Sequence, residues 1–242
     1  REIREIAEDH RLVLIEDAAE SLGATIDGDK VGTFGASAMF SFCGPKIITT
    51  GEGGVLVTDL SSVLEKMQLI RSHGRLQTQN YFSSAEYLDY ITVGYNFRMS
   101  DITAALGIAQ LKKIAQIIKM RRENSAYITQ KLSEIAEIKV PLPPKESYHI
   151  YQMYSIEIRD GKKTRDDLAS YLNNKGIMTK VYFEPVHQTY FYKHELGYDD
   201  KLPVTEQVSS RILTLPMYPS LIEEEMNFIV EEVVAFFSSV NK

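Results

Sequence analysis

The sequence predicts an α/β protein in which strands alternate with helices, and three observations carry that reading. A short apolar, β-branched run, Leu12-Val-Leu-Ile15, follows directly on a helical pattern and ends at Glu16-Asp17, as a buried parallel strand would. Two further apolar runs, Ala38 to Phe42 and Gly53 to Thr58, lead into and out of a short loop rich in glycine and hydroxyls. Near the C-terminus the pattern is strand, helix, strand, helix, the arrangement of a small α/β domain.

Taken in order, Ile3, Ile6 and Ala7 already stand at helical spacing, and the chain opens without methionine. Its start therefore reads as the inside of a helix, in a fragment whose N-terminal part is missing. Gly28, Gly32 and Gly35 punctuate a hairpin-like region. Ser61 to about His73 reads as an amphipathic helix with Val63, Leu64, Met67 and Ile70 on one face. Residues 75–93 are polar and aromatic without periodicity, and a loop that long is usually functional or mobile. From Ser100-Asp101 a helical pattern runs to about Ile135, with Ser100 as N-cap, Ile102, Ala105, Leu106, Ile108 and Leu111 apolar, and a break near Gln116. Val140-Pro-Leu-Pro-Pro144 then ends the helical pattern. Tyr151 to Ile158 alternates as a strand, a helix begins around Thr164–Asp167 and stops at Gly176, Ile177 to Phe183 reads as a strand, and Glu223 to Val240 as a last amphipathic helix. The expected division is 1–115 and 116–242, with the helix of about 100–135 linking the two.

Composition narrows the function. A chain of 242 residues, 44% hydrophobic and 25% charged, is long enough for one large or two smaller domains. A net charge of −6 argues against a nucleic-acid surface, which needs a basic face. No apolar run reaches the length of a membrane span. One cysteine, Cys43, fits a reducing cytoplasm, and the scattered histidines form no metal-ligand spacing.

The chemistry concentrates in Ser41-Phe-Cys-Gly-Pro-Lys46-Ile-Ile-Thr-Thr-Gly-Glu-Gly-Gly54 and Glu16-Asp-Ala-Ala-Glu20. A lysine amine can condense with the aldehyde of pyridoxal phosphate. An aspartate at a strand end can keep the cofactor's ring nitrogen protonated, so that the ring draws electrons. Each residue also has a plain structural reading. Lys46 on a polar loop could be a solvated charge, Asp17 could cap a following helix, and Glu20 could be solvated. Ser41, at a strand end, suits a phosphate oxygen or an ordinary turn. Cys43 has no neighbouring base and reads as a small apolar filler, and Gly51-Glu-Gly-Gly54 lacks the Walker pattern.

With that pair in place, the chain resembles the DegT/DnrJ/EryC1/StrS family of sugar aminotransferases. The motifs are Glu16-Asp-Ala-Ala-Glu-Ser-Leu-Gly-Ala24, Gly32-Thr-Phe-Gly35, Phe40-Ser-Phe through Thr-Gly-Glu-Gly-Gly54, His73-Gly74, Gly94-Tyr-Asn-Phe-Arg-Met-Ser-Asp101 and Tyr182-Phe-Glu-Pro-Val-His187. The resemblance implies the aspartate-aminotransferase-like fold of type I pyridoxal phosphate enzymes. On that reading residues 1–115 are the C-terminal portion of the cofactor-binding large domain, with a mixed, mostly parallel sheet, and 116–242 are the small domain. It implies Lys46 as the cofactor-bearing lysine that also moves the proton at the substrate Cα, Asp17 on the ring nitrogen, Glu20 near the phenolic oxygen and Ser41 at the phosphate.

Asn96 is similar to the family residue that reaches a neighbouring subunit's phosphate, which implies a homodimer with shared active sites; a local turn hydrogen bond is its other reading. Tyr182 and His187 fall in a segment that lines the family's nucleotide-sugar cleft, and a surface position for His187 stays open. His73 is a weaker candidate for the substrate side, since a histidine also suits a helix C-terminus. Arg98 could pair with an anion or brace its loop. The resemblance further implies glutamate as donor, a nucleotide-linked ketosugar as acceptor, and a perosamine-synthase-like preference for a 4-keto-6-deoxyhexose. The competing expectation is a regulatory or sensor protein that binds the cofactor on the same fold without transaminase activity.

Overall fold

The computed structural model of the chain describes residues 1–75 and 89–240. Residues 76–88, the greater part of the aperiodic stretch expected at 75–93, lie outside the described residues. The chain divides into two compact units, Arg1–Ile117 with Lys145–Ile150, and Ile118–Pro144 with Tyr151–Lys242.

The first unit holds helix α1 (Glu2–Asp9), strands β1 (Ile15–Asp17), β2 (Thr25–Ile26), β3 (Asp29–Lys30), β4 (Ser37–Ser41) and β5 (Gly54–Val57), and helices α2 (Ser61–Arg71) and α3 (Asp101–Leu111). Its main sheet has the order β1-β4-β5. β1 runs parallel to β4, with Ile15 opposite Ser37 and Asp17 opposite Met39, and β5 returns antiparallel along β4. Inward residues of β4 are buried, Ala38 fully and Phe40 to 7% exposure, and Ile47 and Ile48 of the following loop join them. β2 and β3 form the expected hairpin, turned through Asp27 and Gly28, both at positive φ. A later strand, β7 (Ser147–Tyr148), extends that hairpin on the β2 side.

Two expectations need correction in this unit, at β1 and at the long helix. β1 begins at Ile15 rather than Leu12, and it is not buried: Ile15 is 66% and Val13 77% exposed. Among the described residues β1 lies at the edge of the three-stranded sheet. α2 forms as expected, and none of its residues is buried. Its Leu64, Met67 and Ile70 face an apolar groove shared with Met39, Val55, Leu56 and Phe97. Finally, the long helix breaks at Lys112-Lys113 and not near Gln116, giving α3 and then α4 (Ile114–Leu132). Ser100 caps α3 as expected, its Oγ accepting from Thr103 N–H at 3.2 Å.

The second unit is a helix-on-sheet layer. β6 (Ile138–Lys139), β8 (Tyr154–Ile158) and β9 (Ile212–Leu215) form an antiparallel sheet in the order β6-β8-β9. β8 alternates as its sequence predicts: Tyr154, Ile156 and Ile158 are fully buried, while Ser155 and Glu157 lie on the other face. The buried side packs with Leu168 and Leu172 of α5 (Lys162–Asn174), Val233 of α7 (Glu223–Val240), and Ile128 and Leu132 of α4. Burial without a charged partner lifts the Tyr154 phenol to about 12; its hydroxyl is paired with Thr129 at 2.8 Å. Arg165, 2% exposed, donates to the Ser209 and Ile212 carbonyls at 3.0 Å each and so closes the C-terminus of α6 (Pro203–Arg211).

The strand expected at Ile177 to Phe183 is not formed. Only Lys180 pairs, exchanging backbone hydrogen bonds with Thr214, and Pro185 then starts a 3-10 turn at Val186–Gln188.

Two predictions follow from this layer. Ile156→Ala should lower unfolding free energy by about 2–5 kcal/mol, whereas Met178→Ala, at a side chain 84% exposed, should change it by less than about 0.5 kcal/mol; urea titration of the two variants compares them. Hydrogen bonds from Tyr171 and Lys175 hold the Glu232 carboxyl below its ordinary value of 4.5. A group depressed in the folded state stabilises it above its unfolded pKa, and the gain disappears as pH falls through the folded one. The Tm difference between the wild type and Glu232→Gln should therefore be constant above about pH 5 and close progressively below it, measured by calorimetry across pH.

Candidate active site

β1 and β4 are parallel, so their carboxyl ends lie at the same edge of the sheet, the edge where open α/β sheets gather ligands. Asp17 is the last residue of β1 and Ser41 the last of β4. The chain then enters the Lys46 loop, whose backbone is closely tied. Thr50 N–H and the Thr49 hydroxyl both bond the Phe42 carbonyl, at 2.9 and 3.0 Å. Phe42 N–H bonds the Gly53 carbonyl at 2.9 Å, and Lys46 N–H bonds the Cys43 carbonyl at 3.1 Å. Ile47 and Ile48 anchor the loop from below, at 6% and 2% exposure. This framework leaves Lys46 with 16% of its side chain open and its Nζ at 2.5 Å from Glu20 Oε1. Lysine and glutamate, assigned to one site from sequence, are thus in direct contact.

Asp17 Oδ1 accepts from Ala19 N–H at 3.1 Å. The segment that follows is turn rather than helix, so Asp17 serves no helix as a cap and shapes the turn that carries Glu20. Ser41 Oγ accepts from Cys43 N–H at 3.3 Å. These groups form an amine, two carboxylates and a hydroxyl at one sheet edge. That set can condense with an aldehyde, accept from a ring N–H and bond a phosphate oxygen. The residues present therefore fit the cofactor expected from sequence. Cys43 stays a free thiol.

His73 and Asn96 lie on neighbouring segments elsewhere in the same unit. The segment 91–97 lies along the end of α2: His73 N–H bonds the Tyr95 carbonyl at 2.8 Å, and Phe97 N–H bonds that of Arg71 at 3.0 Å. Such close approach requires glycine at both crossing points, since a Cβ on Gly74 would strike the Thr92 carbonyl oxygen and one on Gly94 the backbone of Gly74. Asn96 Oδ1 accepts from Arg98 Nε at 3.1 Å, which also gives Arg98 a bracing role. In the second unit Tyr182 is half-buried, and Lys180 Nζ lies 5.9 Å from the centre of its ring. His187 Nε2 is 3.0 Å from Glu206 Oε1.

Two residues escaped sequence reading. Glu16 accepts three backbone N–H groups, from Gly32 at 2.8 Å, Phe34 at 2.6 Å and Gly35 at 2.8 Å. It latches the Gly32–Gly35 loop to the strand that ends in Asp17. Glu206 binds His187 from another helix. Glu16 has no local signal, because its three donors lie sixteen or more residues away, and the contact of Glu206 with His187 spans nineteen residues. The apolar groove beneath α2, about 730 Å³, includes none of the polar site residues, so chemistry and not concavity marks the site.

Over residues 1–234 the sequence matches the DegT/DnrJ/EryC1/StrS aminotransferase family. The chain belongs to that family. Among its DegT/DnrJ/EryC1/StrS relatives, a GDP-perosamine synthase of Caulobacter vibrioides is 35% identical over 94% of this chain and 60% of its own length. A pleiotropic regulatory protein of Geobacillus stearothermophilus is 34% identical over 97% of this chain and 61% of its own. The chain thus spans about three-fifths of the curated relatives it matches. The structure of Helicobacter pylori PseC, an aminotransferase involved in the biosynthesis of pseudoaminic acid, superposes with a TM-score of 0.91 at 28% identity, covering 98% of this chain and 62% of that one. The fold is accordingly that of the type I sugar aminotransferases, as the motifs implied.

Glu16→Ala should leave three half-buried N–H groups without an acceptor and cost about 1–3 kcal/mol. Amide exchange of Gly32, Phe34 and Gly35 should accelerate in the variant while exchange in the second unit's core stays unchanged.

Proposed function

We propose that this chain carries the catalytic part of a pyridoxal phosphate-dependent aminotransferase that passes an amino group from an amino acid, glutamate, to a nucleotide-linked ketosugar. The observation that carries the reading is the contact between Lys46 Nζ and Glu20 at the shared carboxyl edge of β1 and β4. Membership of an aminotransferase family over nearly the whole chain supports it.

In this reading Lys46 holds the cofactor through its amine, Asp17 meets the ring nitrogen, Glu20 the phenolic oxygen, and Ser41 the phosphate. Pyridoxal phosphate, when bound, supplies an aldehyde and a protonated ring that draws electrons from the donor's Cα. Released when the donor's amino group takes its place, Lys46 Nζ would carry the proton from the donor Cα to the cofactor's aldehyde carbon. In the reverse half of a ping-pong cycle it would carry a proton from that carbon to the amine-bearing carbon of the acceptor sugar. The hydrogen bonds that fix the Lys46 loop hold the backbone from which the amine extends, so the side chain alone moves between the two transfers. Tyr182, His187 and, more weakly, His73 serve the substrate side.

Asn96 serves the site of a second copy, so the working unit is a homodimer with shared active sites. Residues 1–115 act as the cofactor-bearing portion and 116–242 as the small domain. Likeness to a GDP-perosamine synthase favours a 4-keto-6-deoxyhexose acceptor, and hence a cytoplasmic role in amino-sugar and polysaccharide biosynthesis. A second reading, a cofactor-binding regulator without transaminase activity, draws on the relative named as a pleiotropic regulatory protein.

Half-reactions separate the two. Loaded with pyridoxal phosphate, the protein should convert glutamate to 2-oxoglutarate once per site, and a nucleotide-linked 4-keto-6-deoxyhexose should restore the starting absorbance. Lys46→Ala should lower the first rate by about 10²–10⁴-fold. A protein that takes up the cofactor yet forms no 2-oxoglutarate would move the assignment to the regulator.

A further inference from the structure

His187 lies in the 3-10 turn Val186–Gln188 and keeps 10% of its side chain open. Its Nε2 is 3.0 Å from Glu206 Oε1, and the same oxygen accepts from Leu202 N–H at 3.0 Å. Leu202 precedes α6 and Pro203 opens it, so the Glu206 carboxylate joins the start of its own helix to the turn that bears His187. The hydrogen bonds from His187 and Leu202 hold the Glu206 carboxyl below the ordinary carboxylate range. An ionised carboxylate only accepts hydrogen bonds, so the hydrogen in this contact belongs to the histidine, on Nε2. Rotating the ring by half a turn would put a ring carbon against the carboxylate and lose the bond. Among the described residues, Nδ1 takes no hydrogen bond.

We propose that Glu206 is a positioning residue: it fixes the hydrogen of His187 on Nε2 and leaves Nδ1 as the atom offered to the acceptor substrate. The substrate half of this inference rests on the reading that His187 lines the acceptor-sugar site. In the neutral ring Nδ1 is an acceptor, matched to a sugar hydroxyl rather than to a phosphate oxygen. The arrangement follows the general rule that the hydrogen bond on one ring nitrogen sets the role of the other.

The test uses the full chain with ¹⁵N-labelled histidine, His187 being identified by its loss in His187→Asn. Long-range ¹H–¹⁵N spectra should show the hydrogen of neutral His187 on Nε2 and a bare Nδ1. Glu206→Ala should abolish that preference and raise the KM for the nucleotide-ketosugar by roughly 3–10-fold, with the rate of the glutamate half-reaction changed less than twofold. His187→Asn keeps an oxygen near the place of Nδ1 without needing Nε2, so it should retain much of the sugar affinity and make KM insensitive to Glu206→Ala.

A wild-type ring with its hydrogen on Nδ1 overturns the proposal, and this decides the matter even if Glu206→Ala does not fold. An unchanged spectrum in a folded Glu206→Ala also overturns it. If the spectrum responds but Glu206→Ala leaves the sugar KM unchanged, the substrate-facing role of Nδ1 fails, while the glutamate half-reaction still reports on the aminotransferase reading by itself.

Discussion

The parallel pairing of β1 with β4 is the constraint on which the candidate site depends. Antiparallel strands would carry Asp17 and Ser41 to opposite edges of the sheet. In parallel register, with Asp17 opposite Met39, both strands end at one edge, and the chain leaves there into the two segments that bear Glu20 and Lys46. A contact between side chains 26 residues apart in sequence thus follows from three backbone pairs. That edge is where open α/β sheets gather ligands, so one topological choice brings the amine, the carboxylates and the hydroxyl to a single place.

Pairing alone does not hold side chains to the tolerance that proton transfer demands. The Gly32–Gly35 loop is pinned by Glu16, and the space there is tight enough that a Cβ on Gly35 would come within 2.6 Å of the Leu14 carbonyl oxygen. The Lys46 loop is pinned from its own strands through the Phe42 carbonyl. Buried hydrogen bonds to backbone cost little entropy once the loop is compact, and they leave the lysine as the element free to move. The same device recurs in the second unit, where Glu206 ties two segments and selects one ring nitrogen of His187.

Much of this was legible in the sequence. Alternation in Tyr154–Ile158 gave the buried face of β8, the serine before Asp101 gave the start of α3, and the apolar spacing of Glu223–Val240 gave α7 with its bounds. The Lys46–Glu20 neighbourhood was legible because the motifs place both residues relative to one cofactor. Other features were not. Leu12–Ile15 is more exposed among the described residues than its apolar run suggested, because a run reports its own hydrophobicity and not what packs against it. The Ile177–Phe183 run has strand propensity but only Lys180 finds a partner strand, since pairing is decided by tertiary context. Glu16 and Glu206 look like ordinary surface carboxylates until their distant donors are placed beside them.

The most direct test of the central claim is to load the protein with pyridoxal phosphate, reduce it with borohydride, digest it and map the pyridoxyl adduct by mass spectrometry. The account predicts an adduct on Lys46, absent in Lys46→Ala and strongly diminished when glutamate is added before reduction. An adduct confined to other lysines, or none on a folded protein, would contradict it.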